Sequence, residues 1–237
     1  MIQRYDNVLC FSDTHFPYHH PDTFEFLSAV KSKYQPDYNV HDGDITDSYA
    51  FSRYPKDPEY DECYTVEFQS VRESVQKLFI IFEQLDLVNS NHDSRMWDRA
   101  STAGIPRSVL LPFMEVIGAR AFPEWRLVDD LLLDIGGQEW YFAHYKGANI
   151  MRVASDAGVS VVQGHTHTKF SVNSSASLKG RIYGIETGCL IGDDRHAFAY
   201  NKSSLIRPNL GCVIIERGVP RLIPMNLTQG GAWDGRC

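Results

Sequence analysis

The stretch Val159-Ser160-Val161-Val162-Gln163-Gly164-His165-Thr166-His167 decides how this chain is read. A short β-branched apolar run of this kind reads as a buried strand. Gly164 lets the backbone leave the strand sharply, because glycine alone enters tight turns without steric cost. Two imidazoles two residues apart then stand just past the carboxyl end of a strand, where α/β sheets bind ligands. Alone, H-x-H is a modest signal. It gains force because other strand ends in the chain carry matching groups.

Length and composition bound the reading. The chain has 237 residues, of which 43% are hydrophobic, enough for a substantial core in one domain. No apolar run reaches membrane-spanning length, and MIQRYDNVLC lacks the shape of a signal peptide, so a cytoplasmic protein without a membrane partner is expected. The five cysteines are scattered and include no C-x-x-C pair, which reads as free thiols in a reducing compartment. The net charge of −7 excludes a broadly basic surface. A polyanionic substrate must therefore be held locally, by metal ions or a few placed cations.

Taken in order, Asn7–Ser12 reads as a strand leading into Asp13-Thr14-His15. A helix is expected over Pro21–Lys33, then a strand over Tyr38–His41 that opens onto Asp42-Gly43-Asp44. Residues 50–63 have two prolines and no period, and read as a loop over the strand ends. An amphipathic helix follows from Thr65 to about Leu85, then the strand Leu85–Val88, which opens onto Asn89-Ser90-Asn91-His92-Asp93. Residues 94–118 read as helical, broken at Gly104-Ile105-Pro106. The hairpin Asp130–Ile135, Gly136-Gly137, Gln138–Ala143 ends at His144, and a helix over Gly147–Ala157 returns the chain to the opening stretch. Arg181–Glu186 and the hairpin Gly211–Glu216, Val219–Pro224 read as antiparallel pieces of a second sheet. The Gly-rich end from Gln229 reads as frayed.

The strand ends together carry Asp13, His15, Asp44, Asn91, His92, His144, His165 and His167, and five of the nine histidines fall in this set. Carboxylate and imidazole ligands suit borderline divalent metals. More candidates are present than one catalytic ion needs, which fits two ions sharing one carboxylate, roughly 3.5–4 Å apart. Each residue singly also has a structural reading: Asp13 or Asn91 as a helix cap, His144 as a satisfied strand histidine. The complete set argues for metals.

With these motifs in view, the chain resembles the calcineurin-like metallophosphoesterase superfamily. It has D-x-H (Asp13, His15), G-D-x-x-D (Gly43, Asp44, Asp47), N-H-[DE] (Asn91, His92, Asp93), a lone His144 and G-H-x-H (Gly164, His165, His167), in that order. The resemblance implies an α/β fold, a four-layer αββα sandwich with a dimetal site at the strand ends. One domain is expected over residues 1–228, with a flexible tail over 229–237. It further implies one metal on Asp13, His15 and His167, another on Asn91, His144 and His165, and Asp44 bridging them. The two divalent ions are expected to be manganese first, with Fe, Zn, Ni or Co as alternatives. Catalytic roles fall to His92 as the acid for the leaving oxygen, Asp47 as its orienting carboxylate, and Asn91 on the phosphate.

Three departures from the family pattern bear on the site. Ser90 stands where glycine is usual, so strain is expected in that turn. Asp47 is followed by Ser48, not by the Arg-Gly of the phosphoprotein phosphatases. Lys146 follows His144 closely and, with Arg53 and Lys56, is expected to contact substrate. His19, His20 and His196 read as surface residues, and His41 as either a partner of a ligand or a plain strand residue. The segment with Tyr183, Gly184, Glu186, Gly188 and Cys189 resembles stand-alone phosphoesterases often found in phages, which would place the protein in the host cytoplasm.

These readings converge on a metal-dependent hydrolase of phosphodiesters, in DNA or another nucleic acid, acting through a water activated between two cations. The alternatives are a nucleotide or small-molecule phosphoesterase, including a phosphomonoesterase or cyclic-nucleotide phosphodiesterase, and a non-catalytic scaffold on the same fold.

Overall fold

The computed structural model describes residues 2–53, 63–192 and 207–237. Twelve strands and five α-helices occur among the described residues: β1 (Gln3–Tyr5), β2 (Asn7–Phe11), α1 (Thr23–Tyr34), β3 (Tyr38–His41), α2 (Tyr64–Ile81), β4 (Leu85–Val88), α3 (Arg95–Thr102), α4 (Phe113–Val116), β5 (Trp125–Val128), β6 (Leu131–Ile135), β7 (Gln138–Phe142), α5 (Ile150–Ala157), β8 (Ser160–Gln163), β9 (Phe170–Ser177), β10 (Gly180–Thr187), β11 (Gly211–Glu216) and β12 (Val219–Pro224).

They form two six-stranded sheets, in the orders β1-β6-β7-β8-β10-β9 and β12-β11-β2-β3-β4-β5. In the second sheet β2, β3, β4 and β5 run parallel, so their carboxyl ends emerge on one side. In the first, β7, β8 and β10 are parallel.

The layering follows from alternation along strands buried on both faces. Val8 and Cys10 of β2 lie with Val40, Trp140, Phe142, Val162 and Ile215 between the two sheets. Leu9 and Phe11 of the same strand face the other way, against Phe26, Leu27, Val71 and Leu78 of α1 and α2. In β8, Val162 enters the space between the sheets while Val161 packs on Ile150 and Ala154 of α5. The order is therefore helices, sheet, sheet, helix. Each large apolar side chain taken out of water contributes roughly 1.5–3 kcal/mol. The layer between the sheets thereby holds the strand ends that carry the site.

Several elements differ from the sequence reading. The strand around Arg181–Glu186 does not join the Gly211–Glu216 hairpin. β10 pairs with β8 and β9 in one sheet, while β11 pairs with β2 in the other. Hairpin patterns fix local pairing but not which sheet receives it. β1, β5 and β9 were not expected; the first two are short, and β9 (FSVNSSAS) is too polar to stand out as a strand. α2 stops at Ile81, because Phe82 turns extended and its carbonyl accepts from Trp125 Nε1 at 2.8 Å. Where a frayed tail was expected, Trp233 stacks edge-on with Phe26 and its backbone N–H donates to Asp22 at 2.8 Å. No helix among the described residues is long and apolar enough to cross a membrane.

Candidate metal centre

The strands β2, β3, β4, β7 and β8 end on one rim, and each delivers part of the centre. Asp13 and His15 follow β2, Asp44 follows β3, Asn91 and His92 follow β4, His144 follows β7, and His165 and His167 follow β8. The turns that carry them are conformationally unusual. Asp13, His15, Asp44 and His165 all have positive φ, between 48° and 66°. Non-glycine residues rarely adopt that region, and it concentrates at functional sites where the surroundings hold it.

Two glycines make room for the ligands. A Cβ on Gly43 would stand 2.5 Å from His144 Nδ1, and one on Gly164 would overlap the Asp13 carboxylate and sit 2.6 Å from Ser12 Oγ. Ser90, where strain was expected, does not have positive φ. Its hydroxyl donates to Asp93 Oδ2 at 2.7 Å and so supplies the turn by a local side-chain bond. Asp93 in turn accepts from the Thr46 N–H at 2.9 Å and from the Thr46 hydroxyl at 2.8 Å, tying the Asp44 turn to the Asn91 turn.

Donor atoms converge in three groups, two of which share Asp44; the third is His15, Asp47 and His92. Asp13, His15, Asp44 and His167 bring one ligand atom each within 4.8 Å of one another, and so do Asp44, His144 and His165. Asp44 belongs to both. Within the first group His15 Nε2 and His167 Nε2 face each other at 3.1 Å, and His167 Nε2 is 3.1 Å from Asp13 Oδ1. In the second, His144 Nε2 and Asp44 Oδ2 are 3.1 Å apart but not aligned as a hydrogen bond, and both atoms are buried without a partner. Buried polar atoms are almost always satisfied. Two such atoms aimed at one point fit a cation between them.

The supporting bonds set the tautomers. His144 Nδ1 donates to the Asp42 carbonyl at 2.8 Å, which turns Nε2 into the site. His15 Nδ1 lies 2.8 Å from Asp47 Oδ1, which does the same for its Nε2. His41 Nε2 meets Thr14 Oγ1 at 3.0 Å, between Asp13 and His15, and so braces their turn.

Electrostatics follow the geometry. Burial alone would raise the Asp13 carboxyl, but His15 and His167 beside it hold it well below the usual range. Burial also opposes ionisation of Asp44, and His144, His92 and His15 outweigh it. The Asp47 carboxyl is likewise buried and is held low by His15 and His92. Burial lowers His165, with the charge of His144 adding to it, so this imidazole is poised neutral, as a metal ligand must be.

The Asp47 carboxylate goes to His15, and what holds His92 is the Asp47 carbonyl, 2.9 Å from Nδ1, with Asp47 Oδ1 at 3.5 Å. His20 is not a surface residue, and His19 is half-buried. His19 packs edge-on against Phe16 and Phe24, and His20 is buried, with Nε2 3.0 Å from the Gly231 carbonyl. His196 lies outside the described residues.

Asn91 opens the turn after β4, is exposed, and has no hydrogen-bond partner among the described residues. The N–H of His92 beside it donates to Asp44 Oδ1 at 3.2 Å. Lys146 turns from the rim toward Asp130, 4.0 Å away, and lies over the Tyr141 ring. Arg53 is exposed, and Lys56 lies outside the described residues. Arg95 was missed. Its Nη2 is 2.7 Å from His92 Nε2 and its Nη1 donates to the Asp47 carbonyl at 2.8 Å. Its signal was present: a cation three residues after His92, at the start of a helix, falls on the same face.

The Tyr183–Cys189 segment has structural duties here. Gly184 lies against Met151 and Ile150 of α5, and Glu186 takes Lys169 Nζ at 2.9 Å. Gly188 has positive φ against the Asn209 carbonyl, and Cys189 is buried.

No protein-family model matches the sequence, and no curated protein does. Solved structures similar in chain path include a novel archaeal phosphodiesterase, at 13% identity and a TM-score of 0.48, covering 92% of this chain and 99% of that one. Vacuolar protein sorting 29 from Cryptosporidium parvum follows at 15% identity and 0.45, covering 92% and 96%. Vps29 of Chaetomium thermophilum stands at 10% identity and 0.48, covering 96% and 93%. Five motifs thus stand in order on the strand ends of two facing, helix-flanked sheets, an α/β architecture that gathers its aspartates and histidines on one rim.

Proposed function

We propose that the chain is a metal-dependent phosphoesterase that cleaves phosphodiesters, with nucleic acid as the substrate class. The observation that supports it most is the pair of donor groups meeting at Asp44, with Asp44 Oδ2 and His144 Nε2 buried and lacking hydrogen-bond partners. Asp13, His15 and His167 would hold one divalent ion, Asn91, His144 and His165 the other, and Asp44 would serve both. Manganese is the first choice for an oxygen-and-imidazole set, with other first-row divalent ions able to compete. When bound, such a pair supplies Lewis acidity and a nucleophilic water at neutral pH.

The chain's own residues do the rest. Asp13 and Asp44 balance part of the metal charge and leave the rim cationic, which draws a phosphate ester despite the acidic whole. Asn91, exposed and next in the chain to His92, whose N–H donates to Asp44, would present its amide to a non-bridging phosphate oxygen. His92 stands at the rim with Nε2 3.9 Å from Asp44 Oδ2 and serves the leaving oxygen as its proton donor.

The test is Mn²⁺-dependent hydrolysis of bis-p-nitrophenyl and mono-p-nitrophenyl phosphate beside single- and double-stranded DNA. Hydrolysis of the diester and of DNA is expected. Faster turnover of the monoester would move the substrate class to small phosphomonoesters. Two ions bound with no hydrolysis of any ester would leave a non-catalytic protein on this fold.

A further inference from the structure

Arg95 is the one cation, among the described residues, with hydrogen bonds to residues of the candidate centre. Nη1 donates to the Asp47 carbonyl at 2.8 Å, and Nη2 lies 2.7 Å from His92 Nε2. The roles in that second contact follow from donor chemistry. A carbonyl only accepts, so the His92 nitrogen facing the Asp47 carbonyl, Nδ1, carries the ring proton. A guanidinium only donates, so Nε2 offers Arg95 its lone pair. The atom of His92 that should face the leaving oxygen is thus covered by Arg95.

The guanidinium is tethered but not used up. It has five N–H donors, and two are engaged. Asp47 Oδ2, its nearest carboxylate atom, is 4.0 Å away and makes no hydrogen bond. The side chain is 19% exposed, so it is held close to the centre by its two bonds yet still open to a ligand. The other two cations expected to meet substrate and lying within the described residues do not compete: Lys146 is turned toward Asp130, and Arg53 is exposed without a bond to the centre.

We propose that Arg95 is a substrate-binding residue that takes a non-bridging oxygen of the phosphate ester. In doing so it moves off His92 Nε2, whose lone pair then takes a proton from solvent and passes it to the leaving oxygen. The Asp47 carbonyl stays as its pivot. A planar fork suits two oxygens of one phosphate, which a lysine ammonium does not reproduce. This rests on the phosphoesterase reading above.

The experiment separates the two claims by measuring binding as well as turnover. Inorganic phosphate is titrated calorimetrically into the Mn²⁺-loaded wild type, Arg95→Ala and Arg95→Lys, with metal content measured on each. Two ions per chain are expected throughout. Phosphate affinity should fall about ten- to a hundredfold in Arg95→Ala, the scale of a charge-assisted pair. It should fall several-fold in Arg95→Lys, and KM for the diester should rise in the same order. Unchanged phosphate affinity in a variant that keeps both metals overturns the proposal. If Arg95→Ala loses metal or melts early, Arg95→Lys decides, since it keeps a donor for the Asp47 carbonyl and lacks only the fork. A wild type that binds phosphate through Arg95 but hydrolyses no ester would overturn the enzymatic reading and leave this one standing.

Discussion

Asp47 Oδ1 lies 2.8 Å from His15 Nδ1, while the carbonyl of the same residue lies 2.9 Å from His92 Nδ1. One residue thus steers two imidazoles by two different atoms. A carboxylate behind a ligating histidine fixes its tautomer and strengthens it as a donor, and its loss typically costs 10–100-fold in metal affinity. A backbone carbonyl survives any side-chain change.

Asp47→Asn should therefore weaken metal binding by about 10–100-fold while leaving His92 where it is. Metal titration followed by the ratio of dinucleotide to bis-p-nitrophenyl phosphate turnover checks both halves. Metal affinity equal to wild type, with that ratio collapsed, would mean that the carboxylate serves His92 after all.

Gly164→Ala should act through space alone. The new methyl would overlap the Asp13 carboxylate and crowd Ser12 Oγ, both fully buried. Overpacking of this kind costs typically about 1–3 kcal/mol. Here the atom displaced is a candidate ligand, so metal content should fall along with Tm. An Ala variant that melts early yet binds two ions at wild-type affinity would show that Asp13 can yield without cost to the centre.

Protons and metals should compete for His15. Burial pulls its imidazole down, but Asp13, Asp47 and Asp44 around it push it up to about 10. At pH 7 the metal-free ring is then cationic, whereas a ligand must be neutral. Loading expels that proton, so affinity rises with pH below about 10 and falls with acid, about tenfold per unit for each proton released. Calorimetry of Mn²⁺ binding in buffers of different ionisation enthalpy reads the proton directly. Loading at pH 7 with the same heat in every buffer would contradict the assignment of His15.

The candidate ligand positions stand out in the sequence because each follows the end of a short, largely apolar strand, and such strand ends are local patterns. The parallel sheet through β2, β3 and β4 was legible for the same reason. What was hidden depends on contacts distant in sequence. Arg181–Glu186 shows no sign of whether its partner is Val162 or Val213; in the fold it pairs with Val162, and Gly184 packs on α5. The second role of Asp47 was hidden likewise, since spacing cannot tell which of two neighbouring imidazoles a carboxylate reaches. Arg95 carries only a weak signal, a cation three residues after His92 in a helix that also holds Arg99, where an arginine ordinarily reads as solvated surface.

His92 and His144 can be told apart by the leaving group. His144 is buried, its Nδ1 is held by the Asp42 carbonyl, and its Nε2 faces Asp44 at 3.1 Å. His144→Asn should lower metal content and depress all ester hydrolysis alike. His92 stands farther out, with no place in either group that shares Asp44. His92→Asn should keep both ions. General acid catalysis typically contributes about 10²–10⁴-fold, and it counts only where the leaving oxygen is a poor one. A ribose alkoxide must be protonated as it departs, whereas p-nitrophenolate carries its charge unaided. The His92→Asn variant should then lose far more activity on a dinucleotide than on bis-p-nitrophenyl phosphate. Equal losses on the two substrates, with both ions retained, would remove His92 from proton delivery. It would then remain the residue that positions Arg95 and the phosphate.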